Sequence, residues 1–330
     1  MVWDAAGAGD VHVDQVLTNI SVGWLTDIAD VASVLFPGVP VSKQTDKYYV
    51  FGRETWQPEP WGDLRAPGQP AVEIPGMKLS TDSYYTQEHA LAHPVTPEER
   101  SNADSPLNPD TEAVELVTSK IVLGRELAAR EIAHNEDNYL AEHVTTLSGG
   151  DQFNDYDNSE PMDVFRDAKR TFHSNMFVTP NVAVLPWLVM HWLEDHPEFR
   201  ERIKYTQAAT PSRDVVASML GIDRIVVPGQ GYDKANPGQS MDLDYLWLNH
   251  VILAWVPPNP GLKMPSFGYE FVWRPHGVDQ YSDRWWSNER KADIIRVGRN
   301  YDLKLIAKDE DQEKSLAGYL IKDAVDPEAS

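Results

Sequence analysis

Residues 108–143 read NPDTEAVELVTSKIVLGRELAAREIAHNEDNYLAEH, and this stretch decides the fold because it predicts one unusually long helix. Asn108 is a favoured N-cap residue, Pro109 suits the first helical position, and the acids that follow complement the helix dipole. Apolar residues then recur at helical spacing: Val114, Val117, Ile121, Ala128 and Ile132, flanked by Leu116, Leu123 and Leu127. We predict a helix over about 109–147. At ~1.5 Å per residue it is a rod on the order of 50 Å long, which indicates a scaffold element.

Upstream of this helix the sequence predicts a long β-hairpin with an irregular tip. The segment KYYVFGRE (47–54) has the aromatic and β-branched residues of a strand, and MKLSTDSYYTQEHAL (77–91) is its return partner. Between them, residues 56–76 hold five prolines and three glycines, which exclude regular structure. Compact domains rarely keep a connection of this length without a use for it. We expect a protruding contact arm; an active-site lid or a plain surface excursion is the alternative.

The first 46 residues favour an extended arm, because their short apolar pieces never sustain a helical face. These apolar residues need a partner surface, on the same subunit or on a neighbour. An ordinary first strand and turn of a globular domain fits the same residues equally well.

Downstream of the helix, the polar segment SGGDQFNDYDNSE (148–160) is the best candidate for a hinge between domains. Helical and strand patterns then alternate to about residue 270, so the chain as a whole is α+β. In DIIRVGRNYDLKLIA (293–307) apolar and polar residues alternate, which predicts a half-buried antiparallel strand, and GYLIKDAV (318–325) predicts another. The segment 284–308 has seven basic and three acidic residues; it is a solvated strand face or, alternatively, a face turned toward an acidic neighbour or polyanion.

Composition excludes several functional classes. The 330 residues include no cysteine, so disulfide frameworks, thiolate nucleophiles and zinc ribbons are ruled out. A net charge of −22 disfavours tight binding to phosphate backbones or anionic membranes. No apolar run approaches the ~20 residues that span a bilayer, and the N-terminus lacks the features of a signal peptide, so we expect a soluble product made in the cytoplasm.

The search for chemical motifs yields no catalytic constellation. Phosphate-binding loops, nucleophile elbows and zinc-protease motifs are absent, and the segment GQGYDK (229–234) lacks the third glycine of a dinucleotide fingerprint. Single polar clusters are better explained as solvated or packed surfaces than as metal or acid–base sites: Glu131 with His134, the Asp151, Asp155 and Asp157 loop, and His191 with Asp195 and His196. We therefore predict no enzyme activity, no cofactor and no metal. Eleven tryptophans favour protein contact surfaces instead, although packing explains Trp187 and Trp192 better.

The order of these parts, together with several sequence strings, resembles the major capsid proteins of tailed bacteriophages, which have the Hong Kong 97 type fold. The strings extend over nearly the whole chain: LTNISVGW (17–24), IADVASVLFPGVPV (28–41), VSKQTDKYYVFGRE (41–54), LRAPG (64–68), ANPGQ (235–239), WVPPNPGLKMPSFGYEFVW (255–273) and RWWSNERKADIIRVGRNYDLKLIA (284–307).

The resemblance implies a domain plan and a function. Residues 1–46 would be the N-terminal arm, 47–91 the extended loop that overlaps an adjacent subunit, 92–160 with 271–330 the peripheral domain, and 161–270 the axial domain. The chain would self-assemble as hexamers and pentamers into an icosahedral head in the virion, enclosing double-stranded DNA without sequence recognition and with no membrane. Its other partners would be a portal at one vertex and, in some relatives, scaffolding and decoration proteins.

Two features of the family do not carry over directly. The chain begins at Met1 in the arm, so we expect a separate scaffolding protein or none. Lys78 near the hairpin base has no matching cross-linking motif, so we expect no covalent cross-links. Candidate inter-subunit contacts are Trp24, Phe36, Trp56, Trp61, Arg65, Trp285 and Trp286.

Two other functions stay open as alternatives. The same fold forms encapsulin nanocompartments, which enclose enzymes instead of genomes. An acidic carboxylate-dependent hydrolase would instead be a monomer or small oligomer, with paired carboxylates in a cleft.

Overall fold

The computed structural model describes residues 30–52, 64–71, 73, 80–104, 107–203, 212–235, 238–261, 264–309 and 313–326. Within these ranges the α-helices are α1 Val31–Leu35, α2 Pro97–Asn102, α3 Pro109–His134, α4 Pro161–Met176, α5 Trp187–Asp195, α6 Pro197–Ile203 and α7 Arg213–Leu220. The strands are β1 Gly38–Val41, β2 Thr45–Val50, β3 Ser80–Tyr85, β4 Gln87–Val95, β5 Val144–Thr146, β6 Val182–Val184, β7 Arg224–Val226, β8 Gly231–Asp233, β9 Leu243–Tyr245, β10 Val251–Ala254, β11 Gly268–Trp273, β12 Gln280–Ser287, β13 Ala292–Leu305 and β14 Gly318–Lys322. Single 3₁₀ turns lie at Glu136–Asn138, Ala141–His143 and Gly149–Asp151.

Two five-stranded sheets organise the described residues. The long-strand sheet has the order β1-β11-β13-β12, with β4 also paired to β13. Because β4 and β12 pair with overlapping residues of β13, they must lie on its opposite edges. The short-strand sheet has the order β5-β14-β10-β6-β7. Two-stranded ribbons, β2-β3 and β8-β9, extend from these sheets.

Strand β13 confirms the predicted antiparallel strand and is longer than an average one, at 14 residues. Its side chains are not simply half-buried, because helix α3 covers one face. Ile295 and Val297 pack there against Val114, Val117 and Ile121 of the helix. The sheet and the helix therefore form one layered unit along the length of both elements.

Helix α3 begins where the sequence predicted, and the Asn108 side chain accepts hydrogen bonds from the amides of Asp110 and Thr111. Its predicted end at about 147 is wrong, because the helix stops at His134. Asn135 leaves the helical conformation and its side chain caps the following 3₁₀ turn. The Asn138 amide and the Tyr139 hydroxyl then donate to the free carbonyls of Ile132 and Ala133, at 2.8 and 2.6 Å. These side chains thus satisfy the last carbonyl groups of the helix. In a longer helix the same carbonyls would accept from backbone amides of the next turn.

The described part of the first 46 residues is built into the fold, as in an ordinary first strand and turn. Asp30 caps α1, and four of the five residues of that helix are buried. Strand β1 then pairs in parallel with β11. The extended-arm prediction is therefore wrong for 30–46, and for 1–29 it lies outside the described residues.

The base of the predicted hairpin is confirmed by the antiparallel pairing of β2 with β3. Tyr48 and Tyr84 anchor it, since both rings pack on Phe271 of β11. The hairpin ends at Tyr85, because β4 leaves it and pairs with β13 in the long-strand sheet. Residues 87–91 therefore belong to that sheet. Most of the proline-rich tip lies outside the described residues, as does Lys78 near the hairpin base.

The segment 148–160 is not an open hinge between separate units. Phe153 is fully buried in the main core, and its amide donates to the carbonyl of Ala324 at 2.8 Å. Strand β14 pairs with β10 and with β5, so both ends of the predicted peripheral domain enter the short-strand sheet. Sheet membership thus differs from the division that we drew at residues 160 and 271, because strand pairing joins residues far apart in the chain, such as Val144 and Leu320.

Helices and strands alternate over the described part of 161–270, as predicted. The apolar run YLWLNHVILAWV (245–256) is divided between β9 and β10. Leu248 lies between them with a φ of 45°, a conformation that cannot continue a strand. No helix among the described residues is long and apolar enough to cross a membrane.

Candidate assembly surfaces

Phe36 is a core residue and not an exposed contact. It follows α1 directly, is fully buried, and its ring lies 5.5 Å from that of Phe267. Its apolar segment therefore finds its partner within the same chain, at Phe267 and Gly268. This corrects the expectation that Phe36 faces a neighbouring subunit.

Trp285 and Trp286 lie on β12, at one edge of the long-strand sheet. Trp285 is half-buried beneath the Arg296 guanidinium, whose carbon lies 5.5 Å from the centre of the indole ring. Trp286 points to the other face and remains 48% exposed, with its Nε1 donating to Asn288 at 2.9 Å. An exposed tryptophan on an edge strand offers both apolar area and free backbone groups to a partner. Contact through this edge stays a prediction.

The remaining candidates divide between an exposed turn and undescribed segments. Arg65 is exposed and donates to the carbonyl of Gln69 at 2.8 Å, which closes a turn in the described part of the loop. Trp24, Trp56 and Trp61 lie outside the described residues.

A second aromatic surface, which we call the Trp187 patch, was missed by sequence reasoning. It consists of exposed or part-exposed side chains on α5 and on the β8–β9 ribbon: Trp187, His191, Met241, Leu243 and Tyr245. The Trp187 ring stacks on His191 and on Tyr245, with ring centres 5.4 and 6.3 Å apart. Leu243 and Tyr245 are two residues apart on one strand and therefore share a face.

The signal for the Trp187 patch was present in the sequence. Val189, Met190 and Leu193 form the buried face of α5, which leaves position 187 and its neighbour four residues later on the outside. Trp187 is 47% exposed, so packing within the chain does not explain it, whereas Trp192 does pack against the core.

A groove runs between α3 and strands β4 and β13. Its lining combines polar and apolar side chains, including His89, Leu91, Ala128, Ile132 and Tyr301. His89 stacks on Tyr301 with ring centres 4.2 Å apart, and burial lowers the pKa of His89, which favours its neutral form at pH 7. Leu91 is partly exposed at the rim.

The basic segment 284–308 is largely neutralised within the chain. Arg296 pairs with Asp283, Arg299 with Glu270, and Lys308 with Asp82, at 2.5, 2.8 and 3.3 Å. Two further pairs, Lys304 with Asp302 and Arg284 with Asp110, are longer. The local charge of the sequence is therefore mostly compensated within the chain, while Arg290 and Lys291 lie exposed between β12 and β13.

The structure shows how the polar clusters singled out in the sequence are arranged. No group of three His, Asp or Glu side chains in the described ranges could hold a metal ion. His134 turns inward against Trp247 and His250, whereas Glu131 on the same helix is exposed. Asp155 accepts from the amides of Asp157 and Asn158, so it stabilises a turn.

One serine–histidine pair does form, between Ser159 and His196. The Ser159 hydroxyl lies 3.0 Å from Nε2 of His196. It donates a hydrogen bond to the backbone carbonyl oxygen of Asp155, at 2.5 Å. Nδ1 of the same imidazole accepts from the Glu198 amide, so no carboxylate orients the ring as in a triad. Both side chains are buried, and their bonds attach the segment 148–160 to the α5–α6 junction.

Comparison with known proteins gives this fold a context. No family model matches the chain. The chain is 27% identical over 314 residues to the major capsid protein of Burkholderia phage BcepMu, a match that covers 94% of this chain and 95% of that protein. It is also 27% identical over 243 residues to the major capsid protein of Pseudomonas phage JBD67, covering 72% and 75%.

A solved structure has the same fold. A phage-related protein from Bordetella bronchiseptica RB50 superposes with a TM-score of 0.73 at 24% identity, covering 95% of this chain and 98% of that chain. The resemblance to phage major capsid proteins and the α+β capsid-type fold predicted from the sequence are therefore confirmed. The curated relatives are structural proteins of the phage shell.

Proposed function

We propose that this chain is the major capsid protein of a tailed phage and that it assembles as hexamers and pentamers into the icosahedral head. The match to a curated major capsid protein over nearly the full length of both chains carries this proposal. A partial match could reflect one shared domain, whereas this one includes both sheets and the helix between them.

The described surfaces support self-association. Trp286 on the β12 edge and the Trp187 patch expose large aromatic side chains on two different parts of the molecule. A subunit that closes a shell needs at least two different contact surfaces, because each copy has several neighbours. Aromatic residues are the type most enriched at the centres of such contacts.

The partners within the particle follow from the same proposal. Double-stranded DNA would be enclosed without being gripped, since a chain of net charge −22 repels phosphate and most of the basic side chains at 284–308 are paired within the chain. A portal would occupy one vertex, and scaffolding or decoration proteins are further candidates. The proline-rich hairpin would overlap an adjacent subunit, and its prolines would lower the entropy lost when it docks.

We expect the expressed chain to form closed particles visible by negative-stain electron microscopy, and we expect deletion of 56–76 to abolish closure. The deletion removes only the tip beyond the β2–β3 base, so the shortened chain should keep its circular dichroism spectrum and elute as small oligomers. Normal closed shells from the deletion variant would refute the role of the hairpin. A full-length chain that stays monomeric under all assembly conditions would refute the proposed function.

The Trp187 patch provides a point-mutation test. Replacing Trp187 and Tyr245 together by aspartate should leave a folded subunit, because both side chains are partly exposed. It should prevent closed shells, because every copy loses the apolar side chains that would contact its neighbour. Trp187→Phe, which keeps an apolar ring, is the matched control and should assemble. Closed particles from the double variant, counted by microscopy, would show that the patch is not a contact.

The contents of purified particles separate the two shell functions. A phage head filled in vivo contains DNA, which absorbs at 260 nm, whereas an encapsulin-type shell contains a cargo protein that appears as a second band on a gel. The hydrolase alternative predicts a monomer or small oligomer, so closed particles from the purified chain would exclude it.

A further inference from the structure

Five charged side chains meet where α1 packs on the middle of α3: Asp30, Arg125, Glu126, Glu270 and Arg299. Arg125 pairs with Asp30 and lies 3.7 Å from Glu270, which also accepts from Arg299 at 2.8 Å. Both α3 residues and Glu270 are at least 97% buried. The cluster therefore joins three elements, α1, α3 and the long-strand sheet, in a site that is buried except at Asp30, whose side chain is 22% exposed.

Glu126 makes contacts of a different kind from the other two acids. Its Oε1 accepts from the Ala32 amide at 2.9 Å and its Oε2 accepts from Nε1 of Trp247 at 3.1 Å. Its carboxyl group also lies close enough to that of Asp30 for each to shift the pKa of the other. Two neighbouring buried carboxyl groups favour a state in which one of them carries a proton.

Counting charges leads to the same conclusion. Two guanidinium groups face three carboxyl groups, so full ionisation would leave one uncompensated negative charge in a buried site. One bound proton brings the cluster to neutrality. Asp30 and Glu270 are the acids paired with arginine, which leaves Glu126 as the acid that holds the proton.

We propose that the Asp30–Glu126 carboxyl pair is a proton-dependent latch that holds α1 on α3 and is released under alkaline conditions. When Glu126 ionises, its charge faces that of Asp30, and the residue that caps α1 is repelled from the spine helix. The helix and Phe36 then lose the attachment that keeps them in the core.

The electrostatics of the neighbours support this assignment. Burial, the hydrogen bond with Asp30 and the charge of Asp30 raise the pKa of Glu126 to about 8. Burial alone would raise the pKa of Asp30, but its hydrogen bonds and the Arg125 charge outweigh burial and hold it well below its usual value.

Two other titratable groups near the cluster stay neutral over the relevant pH range. Burial and the charge of Glu270 raise the pKa of Tyr301 to about 12. Burial, with the nearby His250, lowers the pKa of His134 to about 3; its ring packs edge-on against Trp247.

The sign of the pH effect follows from the raised pKa. A glutamate that is protonated in the folded state stabilises it fully below its unfolded pKa of about 4.5, and that stabilisation is lost as the pH rises through about 8. The protection of α1 should therefore fall as the pH rises toward about 8, level off above that value, and recover on return to pH 7.

Amide hydrogen exchange on the full chain, corrected for the intrinsic pH dependence, tests the latch. We expect the protection of amides 31–36 to fall by about 10-fold between pH 7 and pH 9.5, because each pH unit below the folded pKa of about 8 is a factor of ten and no further stabilisation is lost above it. Amides in α4 should keep their protection and serve as the internal reference. Glu126→Gln, which is neutral at every pH, should remove the fall, whereas Glu131→Gln on the exposed face of the same helix should behave as the natural chain.

A second variant keeps the test decisive if Glu126→Gln folds poorly. Asp30→Asn removes the charge that repels the ionised Glu126 and should also flatten the pH dependence. A natural chain whose amides 31–36 show no alkaline loss, or an equal loss in the natural chain and both variants, would overturn the latch. The readout concerns one subunit, so its failure would leave the capsid function untouched.

Discussion

Replacing Arg125 by alanine should lower the free energy of unfolding by about 3–5 kcal/mol, because it leaves buried carboxylates without a counter-charge. Arg125 is 97% buried and is the residue that faces both Asp30 and Glu270. Without it, Arg299 still pairs with Glu270, but Asp30 keeps only Ser33 and Glu126 as described side-chain partners. Urea denaturation of the unassembled subunit, followed by circular dichroism, measures the loss.

An exposed arginine provides the matched control. Arg166 on α4 pairs with Asp163 one turn away, and more than half of its side chain is exposed. Arg166→Ala should change the free energy of unfolding by about 0.5 kcal/mol or less, since exposed ion pairs contribute little. If both alanine variants lost the same small amount, the buried cluster would not stabilise the fold in the way described.

The buried cluster also shows where sequence reasoning reaches its limit. Arg125 and Glu126 occur in a helix of alternating charges and look like solvated residues. They are buried because α1 and β11, from distant parts of the chain, close over that side of the helix. The apolar stripe predicted for α3 was correct at Val114, Val117 and Ile121, where the helix meets the sheet.

Local signals predicted local structure well. The Asn108–Pro109 start of α3 and the alternation along β13 both depend on residues near in sequence, and both were confirmed. The end of α3 was not, because His134 and the residues after it are acceptable helix formers, and the caps come from Asn138 and Tyr139 folding back. The pairing of β14 with β5 could not be predicted either. The two strands are neighbours in the sheet, but β6, β7 and β10 lie between them in the sequence.

The contact surfaces could be predicted only in part, because the exposure of a side chain also depends on residues distant in sequence. A tryptophan count shows that large apolar side chains are abundant but not which of them stay exposed. Trp286 is exposed because β12 is an edge strand, and Trp187 because α5 buries its opposite face. Phe36 is buried because a parallel partner strand lies next to it, which no local pattern reveals.

The second large effect should come from Phe36→Ala, which we expect to lower the free energy of unfolding by about 3–5 kcal/mol. The ring is fully buried against Phe267 and fills the space above Gly268, where an added Cβ would lie only 2.4 Å from it. A subunit contact would instead leave the isolated chain stable and weaken only assembly. Urea denaturation of the unassembled subunit separates the two roles.

Gly268→Ala should destabilise the chain by about 1–3 kcal/mol for the opposite reason, since the new methyl group would overlap the Phe36 ring. In the double variant with Phe36→Ala the ring is gone, so the alanine at 268 should cost less than it does alone, by about 0.5–3 kcal/mol. The rescue should be incomplete, because the Lys304 carbonyl oxygen lies 2.9 Å from the added Cβ and belongs to the backbone. Gly124→Ala, at an exposed helical position with open space around it, should instead stabilise the chain by about 0.5–1 kcal/mol. Strictly additive costs for Phe36 and Gly268 would mean that the ring does not occupy the space above the glycine, and that α1 packs on β11 by other contacts.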